Sequence, residues 1–212
     1  MKKYRVKEIF PSLQGEGQHT GTPAVFLRFA GCNLWSGKEE DRATALCRYC
    51  DTDFVGGGEY DLEELLDALA ETWQAVNAPP IVVVTGGEPL LQLDQPLIDG
   101  IREMGAEVHV ETNGTVRLGV DVDWVTCSPK PLGPALKLQG HDIDEYKVVY
   151  PQEGLRRDVE LYDYIYSLKS RRLVFIQPNA NVPSAVGSCL RVVTQNTNLR
   201  LSLQTHKILE LQ

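Results

Sequence analysis

The chain has 212 residues, of which 42% are apolar and 24% charged, with a formal net charge of −8. That length suits one well-buried core and is too short for two independent enzymatic domains. The acidic balance argues against nonspecific nucleic-acid binding, which needs a basic face, and no apolar run approaches the ~20 residues that span a bilayer. The start, Met1-Lys2-Lys3-Tyr4-Arg5, carries no signal-peptide pattern, and five cysteines, an odd number, point to a reducing cytoplasm and not to a disulfide framework.

Along the chain, β-rich apolar runs predict strands at 4–10 and 24–31. A helix is predicted from Asp61 to Val76, with Leu62, Leu65, Leu66, Leu69, Trp73 and Val76 at three- and four-residue steps. Asp61 and Glu64 form a capping-box pattern at its start. A strand at 81–85 follows, then a short helix marked by Leu97, Ile98, Ile101 and Met104 and ended by Gly105. Strands at 107–112 and 123–127 are separated by about ten residues, too few for a normal crossover helix. Pro129 to His141 reads as loop. Strands at 145–150, 173–177 and 199–204 complete the pattern, with helices marked by Val159, Tyr162, Ile165 and Tyr166 and, more weakly, over 184–193. Strand–helix alternation with too few helices predicts an α/β fold, an incomplete, TIM-like partial barrel in a single domain.

The chemistry-bearing residues begin with Cys32, Cys47 and Cys50. Cys47-Arg48-Tyr49-Cys50 is a C-x-x-C pair, and fourteen residues separate Cys32 from Cys47. Three thiolates suit a cubane iron–sulfur cluster with one iron left open. A structural zinc site is the alternative, and none of the histidines His19, His109, His141 and His206 lies at the usual spacing for its fourth ligand. The cysteines alone leave both open. Cys127 and Cys189 sit in apolar runs and read as small buried hydrophobes. Thr85-Gly86-Gly87-Glu88-Pro89 follows an apolar strand, where glycines let the backbone approach a ligand. Cys32, Thr85, Thr112, Ser128, Gln177 and Gln204 each fall at the C-terminal end of a predicted strand, the rim where such folds bind ligands.

A three-cysteine loop together with Gly86-Gly87-Glu88-Pro89 resembles the radical S-adenosylmethionine (SAM) enzymes, although their usual spacing is C-x3-C-x2-C. A closer resemblance runs from about residue 4 to about residue 207. Glu8-Ile9-Phe10-Pro11-Ser12-Leu13-Gln14-Gly15-Glu16-Gly17, Arg28, Cys50-Asp51-Thr52, Glu111-Thr112-Asn113-Gly114, Ser128-Pro129-Lys130 and Gln204-Thr205-His206-Lys207 are similar to the 7-carboxy-7-deazaguanine synthase family. Members of that family carry insertions in the cysteine loop, here at about 33–46.

The resemblance implies a lyase that converts 6-carboxy-5,6,7,8-tetrahydropterin to 7-carboxy-7-deazaguanine with loss of ammonia, in queuosine and 7-deazapurine biosynthesis. It implies a [4Fe-4S] cluster on Cys32, Cys47 and Cys50, with SAM on the open iron. The 5′-deoxyadenosyl radical would take hydrogen from C6 of the pterin, and SAM would be regenerated. SAM contacts are implied for Tyr49, Cys50, Asp51, Gly87, Glu88, Thr112, Ser128, Pro129, Lys130, Gln177, Pro178, Asn179 and Ala180. Substrate contacts are implied for Leu13, Gln14, Gly15, Glu16, Arg28, Thr85 and His206, with Arg28 pairing with the carboxylate. Thr52 is implied as a Mg²⁺ ligand. No residue is singled out as an acid or base. An electron donor such as flavodoxin or ferredoxin, a homodimer, and no membrane or direct nucleic-acid partner complete the expectation. Several of these residues have plainer readings: a turn for Glu111 to Gly114, packing for Tyr49, a rim salt bridge for Arg28, an exposed tail for His206 and a turn cap for Thr52. A glycyl-radical-enzyme activase and a non-enzymatic zinc or redox module remain the alternatives.

Overall fold

The protein is described here by a computed structural model covering residues 2–73, 80–130, 143–168 and 173–211. Nine strands form one sheet: β1 (Tyr4–Leu13), β2 (Pro23–Phe29), β3 (Gly58–Tyr60), β4 (Ile81–Gly86), β5 (Glu107–Thr112), β6 (Trp124–Cys127), β7 (Glu145–Tyr150), β8 (Leu173–Pro178) and β9 (Leu199–Leu201). Their spatial order is β3-β1-β2-β4-β5-β6-β7-β8-β9. β1 runs antiparallel to both its neighbours, and every pairing from β2 onward is parallel. Among the described residues the sheet ends at β3 and β9 and does not close. Among the described residues five α-helices accompany it: α1 (Leu62–Thr72), α2 (Gln95–Glu103), α3 (Asp158–Ser167), α4 (Ala185–Gln195) and α5 (Thr205–Ile208). The expected partial barrel with fewer helices than strands is the observed one.

Strand periodicity divides the chemistry. Along β4, Val82 and Val84 face outward into a core with Leu65 and Leu69 of α1 and Leu97, Ile98 and Ile101 of α2. Each such buried aliphatic side chain contributes about 1.5–3 kcal/mol. A second core joins Tyr146 and Val148 of β7 and Ile176 of β8 to Leu161 of α3 and Cys189 and Val192 of α4. The alternate residues, Thr85, Glu111, Lys147 and Gln177 among them, face the concave side and line a cavity there. Cys127 and Cys189 are fully buried in the second core, as expected, and burial pushes both thiols up to about 12.

The predicted capping box is present: Asp61 accepts from the Glu64 amide at 3.0 Å, and Glu64 accepts from the Asp61 amide at 2.7 Å. That helix ends at Thr72 with Trp73 as its C-cap, and Val76 lies outside the described residues, as do Pro131 to His141 of the predicted loop. No helix separates β5 from β6, as the spacing required. Other boundaries differ. β1 continues to Leu13 because its pairing with β2 runs from Val6 to Leu13. The three-residue β3 is too short for periodicity to reveal. The predicted strand at 199–204 stops at Leu201, so Gln204 caps α5 instead of ending a strand. Val159 and Tyr166, two markers of the third helix, are exposed, and its buried residue is Leu161. No helix among the described residues is long and apolar enough to cross a membrane.

Candidate active site

One cavity of about 350 Å³ opens on the concave face at the C-terminal ends of the parallel strands. Cys32, Thr85, Thr112, Ser128, Gln177 and Gln204 all line it. So do Cys47, Tyr49, Cys50, Asp51, Thr52, Gly87, Lys130, Asn179 and Ala180, together with Leu13, Gln14, Glu16, Arg28 and His206. The remaining residues named from sequence, Gly15, Glu88, Pro129 and Pro178, do not contribute to its wall.

The cysteine end is built by two turns pressed together. Gly86 has φ +139°, and a Cβ there would lie 2.3 Å from the Phe29 carbonyl oxygen. A Cβ on Gly87 would lie 2.2 Å from the Gly31 carbonyl oxygen and 2.6 Å from Cys32 Cβ. Only glycine permits this approach. The Glu88 amide then donates to the Gly31 carbonyl at 3.0 Å, stapling the glycine turn to the chain that carries Cys32. Glu88 is fully buried and works as a strut. Its carboxylate accepts from Thr112 Oγ1 and the Asn113 amide, each at 2.8 Å, and from the Leu90 amide at 3.1 Å. Burial pushes its pKa up against these three bonds. These three bonds make Glu88 a brace between the glycine turn and the end of β5.

Cys32, Cys47 and Cys50 are free thiols on this one wall. The Leu34 amide donates to Cys32 Sγ at 3.4 Å. Burial pushes the Cys32 and Cys47 thiols up, opposed at Cys32 by the amides of Leu34 and Trp35 and at Cys47 by the Lys130 charge. A bound cationic centre would invert that preference, since a coordinating thiol is deprotonated outright. No three His, Cys, Asp or Glu side chains among the described residues come close enough to share a single metal ion. A cubane spreads its thiolates over different irons, and the three cysteines on one wall suit it as a donor set. Beside them, Lys130 donates to Ser128 Oγ at 2.7 Å and sits 5.6 Å from the Tyr49 ring centroid. Asn181 donates to the Tyr49 carbonyl at 3.2 Å, tying the loop after β8 to the C-x-x-C turn. Asp51 accepts from Lys207 at 2.5 Å.

The opposite end is a charged layer around Lys147, which is only 4% exposed. Its ammonium contacts Glu16 and lies 3.4 Å from Glu111. Glu16 also accepts from Gln204 at 2.8 Å and Gln177 at 3.2 Å. Gln14 donates to Glu111 at 3.0 Å and accepts from the Glu16 amide at 3.1 Å. Burial works against both charges of the central pair. The Lys147 charge and the bonds from Lys147 and Gln204 nevertheless hold Glu16 below the usual carboxylate range. Glu111 and Glu16 hold Lys147 above the usual lysine range. Burial also lowers His206, opposed by Glu16, so its imidazole is neutral at neutral pH. A Cβ on Gly15 would lie 2.1 Å from His206 Nδ1, so Gly15 sets how closely α5 approaches the loop after β1. Arg28 lines the cavity with its Nε held by Glu8 at 2.7 Å, so the rim salt bridge and the cavity position coexist.

Sequence reasoning missed Lys147 as a site residue, along with the carboxylate of Glu111 and the Glu8 partner of Arg28. A signal for Lys147 existed: in Glu145-Tyr146-Lys147-Val148-Val149-Tyr150 the two charges alternate with residues of the second core, which places them on the concave face.

A polar cavity at the strand ends of an open parallel barrel, with thiols at one end and a buried charge layer at the other, defines an α/β-barrel protein with a small-molecule site. No protein-family model matches the chain. Individual proteins do. A Burkholderia multivorans 7-carboxy-7-deazaguanine synthase is 45% identical over 98% of this chain and 99% of its own length. The Bacteroides thetaiotaomicron enzyme of that name is 41% identical over 98% of both chains. The crystal structure of QueE from Escherichia coli superposes with a TM-score of 0.71 at 28% identity, covering 95% of this chain and 93% of the other. The chain belongs to the 7-carboxy-7-deazaguanine synthase family.

Proposed function

We propose that the protein is a radical SAM carbon–nitrogen lyase that converts 6-carboxy-5,6,7,8-tetrahydropterin to 7-carboxy-7-deazaguanine with loss of ammonia, supplying queuosine or another 7-deazapurine. The observation that carries this reading is the single cavity that joins the three thiols to Gln14, Glu16, Arg28, Thr85 and His206. Cys32, Cys47 and Cys50 would hold a [4Fe-4S] cluster, and the cluster with SAM, when bound, supplies one-electron radical chemistry. An electron donor of the flavodoxin or ferredoxin kind fits that requirement.

The chain's own residues bind and orient. Tyr49, Gly87, Thr112, Ser128, Lys130, Asn179 and Ala180 surround the thiol end and form the SAM site, with Asp51 on the same wall and Gln177 reaching it from the charged layer, where it holds Glu16. Glu88 acts there through the turn it braces. Ionised Glu16, an acceptor only, and Gln14 read the donor–acceptor edge of the pterin with Thr85 and His206. Arg28 takes the carboxylate through its guanidinium fork. Thr52 would offer a hard oxygen to Mg²⁺, which would supply positive charge beside the substrate's oxygens. Anaerobically reconstituted protein given the pterin, SAM and a chemical reductant should release 7-carboxy-7-deazaguanine, identified by mass, without net consumption of SAM. Protein that holds iron and sulfide yet leaves the pterin unchanged would overturn the assignment of substrate. One equivalent of zinc without sulfide would overturn the cluster.

A further inference from the structure

The segment between Cys32 and Cys47 folds into a 3-10 turn over Glu39–Thr44 in which no residue is buried. From that exposed turn Arg42 reaches back into the cysteine wall. Its guanidinium lies 4.1 Å from the centroid of the Trp35 ring. Nη1 donates to the carbonyls of Arg48 at 3.0 Å and Cys50 at 3.1 Å, while Nε faces the Glu39 carboxylate at 2.7 and 2.8 Å. The platform beneath is itself fixed. Trp35 is buried, donates to the Lys38 carbonyl at 3.1 Å and packs edge-on against Phe54 at 5.6 Å. The Leu34 carbonyl accepts from the Leu46 and Cys47 amides at 3.0 and 3.3 Å, so the two ends of the segment are joined directly.

One guanidinium nitrogen thus gathers two carbonyls that bracket Tyr49 within the C-x-x-C turn. Turning both carbonyls toward the same cation fixes the backbone between Cys47 and Cys50, and with it the direction of their side chains. A flexible turn would have to pay the ordering entropy when it binds a metal centre; a preset one does not. Planarity matters, because stacking on Trp35 while donating from the edge needs a flat cation, and lysine offers a point charge.

We propose that Arg42 is a positioning residue, a clamp that presets the Cys47–Cys50 turn to receive the metal centre, and that presenting this clamp is what the long segment between the first two cysteines does. The inference rests on the reading of Cys47 and Cys50 as ligands.

The test compares wild type with Arg42→Met, Arg42→Lys and, as a control in the same segment, Lys38→Met. Each protein is reconstituted anaerobically with iron and sulfide. Iron per chain, the rate of cluster bleaching by a chelator and the melting temperature of the metal-free chain are then measured. Arg42→Met should lose its cluster roughly 10–100-fold faster than wild type, the range seen when an outer partner of a metal ligand is removed. Its metal-free melting temperature should change little, because the clamp orders a partly exposed turn. Arg42→Lys should fall nearer to Met than to wild type, and Lys38→Met should match wild type. Bleaching of Arg42→Met at the wild-type rate would overturn the clamp, as would full rescue by lysine or acceleration matched by a lower metal-free melting temperature. Wild-type protein that takes up no iron would instead sink the cluster reading, and the clamp with it.

Discussion

Lys147→Met removes the one ammonium at the centre of the inner layer while keeping an unbranched apolar stem. In the wild-type protein the two charges of the central pair leave opposite traces on stability. Glu16 is held below its ordinary value of 4.5, so its contribution is present above that value and is lost as the pH falls through the lower folded pKa. Lys147 is held above its ordinary 10.5, so its contribution is present below that value and is lost as the pH rises through the raised one. Between those limits the pair contributes a constant amount. Methionine leaves Glu16 buried without its counter-charge, with Glu111 as an unrelieved neighbour. Breaking a buried pair by removing one partner costs about 3–5 kcal/mol. For a chain of this length that is a fall in melting temperature on the order of 10 °C. The cost should not be constant with pH. Burial, the largest influence on Glu16, is then opposed by its bond from Gln204 and by His206 but no longer by an ammonium, so the folded variant binds a proton more tightly than the unfolded chain does. Relative to wild type, the variant should therefore recover stability as the pH falls from about 8 to about 5. Thermal melting of wild type, Lys147→Met, Glu16→Gln and the double variant across that range measures the effect. The double variant should cost less than the sum of the singles, because the uncompensated charge is gone. A loss below about 1 kcal/mol, or one equal at both ends of the pH range, would refute the charge argument.

Cys32→Ala, Cys47→Ala and Cys50→Ala should each abolish the bound cluster and SAM cleavage, whereas Cys127→Ala and Cys189→Ala should keep both; iron analysis and absorbance decide this, and a full cluster in Cys32→Ala would show that another residue is the ligand. Gly15→Ala would place a methyl 2.1 Å from His206 Nδ1 and 2.9 Å from its backbone nitrogen. The resulting displacement should cost roughly 100-fold in turnover, as misplacing a contact group by about 1 Å does, with iron content unchanged; near-normal turnover would remove His206 from the site. Turnover, but not cluster assembly, should respond to added Mg²⁺, and Thr52→Ala should weaken that response together with activity. Full turnover after chelation of divalent ions, with no gain from Mg²⁺, would take the ion out of the reaction.

The barrel was legible because helical periodicity and short β-rich apolar runs are both clear in this chain. The 3.6-residue pattern of α1, the apolar run of β4 and the alternation in β5 mark elements that share one core. Spacing alone excluded a helix between β5 and β6. Short elements escaped: Gly58–Tyr60 and Thr205–Ile208 hold too few residues for any period to show, and tertiary bonds make them, such as the Thr205 amide to the Gly15 carbonyl at 2.9 Å. Motif residues at strand ends were found because topology sends every parallel strand end to one rim. The bracing by Glu88 was not legible: a glutamate after two glycines in a turn reads as a ligand, and only the fold brings Thr112 and Asn113 to its carboxylate. Lys147 was hidden by the same physics in reverse: a lysine in an apolar strand is costly unless a partner waits, and its partners are 131 and 36 residues away in sequence.

Those distant partners share a cause in the topology. Among the described residues the sheet stops at β3 and β9 and no strand closes the concave face, which the loop after β1 crosses. Its Gln14 meets Glu111 of β5, and the Gly17 amide donates to Ser202 Oγ at 3.0 Å just beyond β9. The Gln18 amide donates to Glu145 of β7 at 2.9 Å. A Cβ on Gly17 would strike that carboxylate at 2.1 Å, and its φ of +67° already favours glycine. Glu145 is pushed up by burial while Glu16 is pulled down, although Lys147 acts on both. Glu16 receives the ammonium directly and Glu145 does not. The two carboxylates therefore divide the work: Glu145 anchors the loop through neutral donors, and Glu16 stays ionised facing the cavity. A run such as Leu13-Gln14-Gly15-Glu16-Gly17 must satisfy the gap in the barrel and the ligand at once. Substitutions there should lower stability and substrate affinity together, whereas substitutions at Arg28, held by Glu8 on the rim, should lower affinity alone.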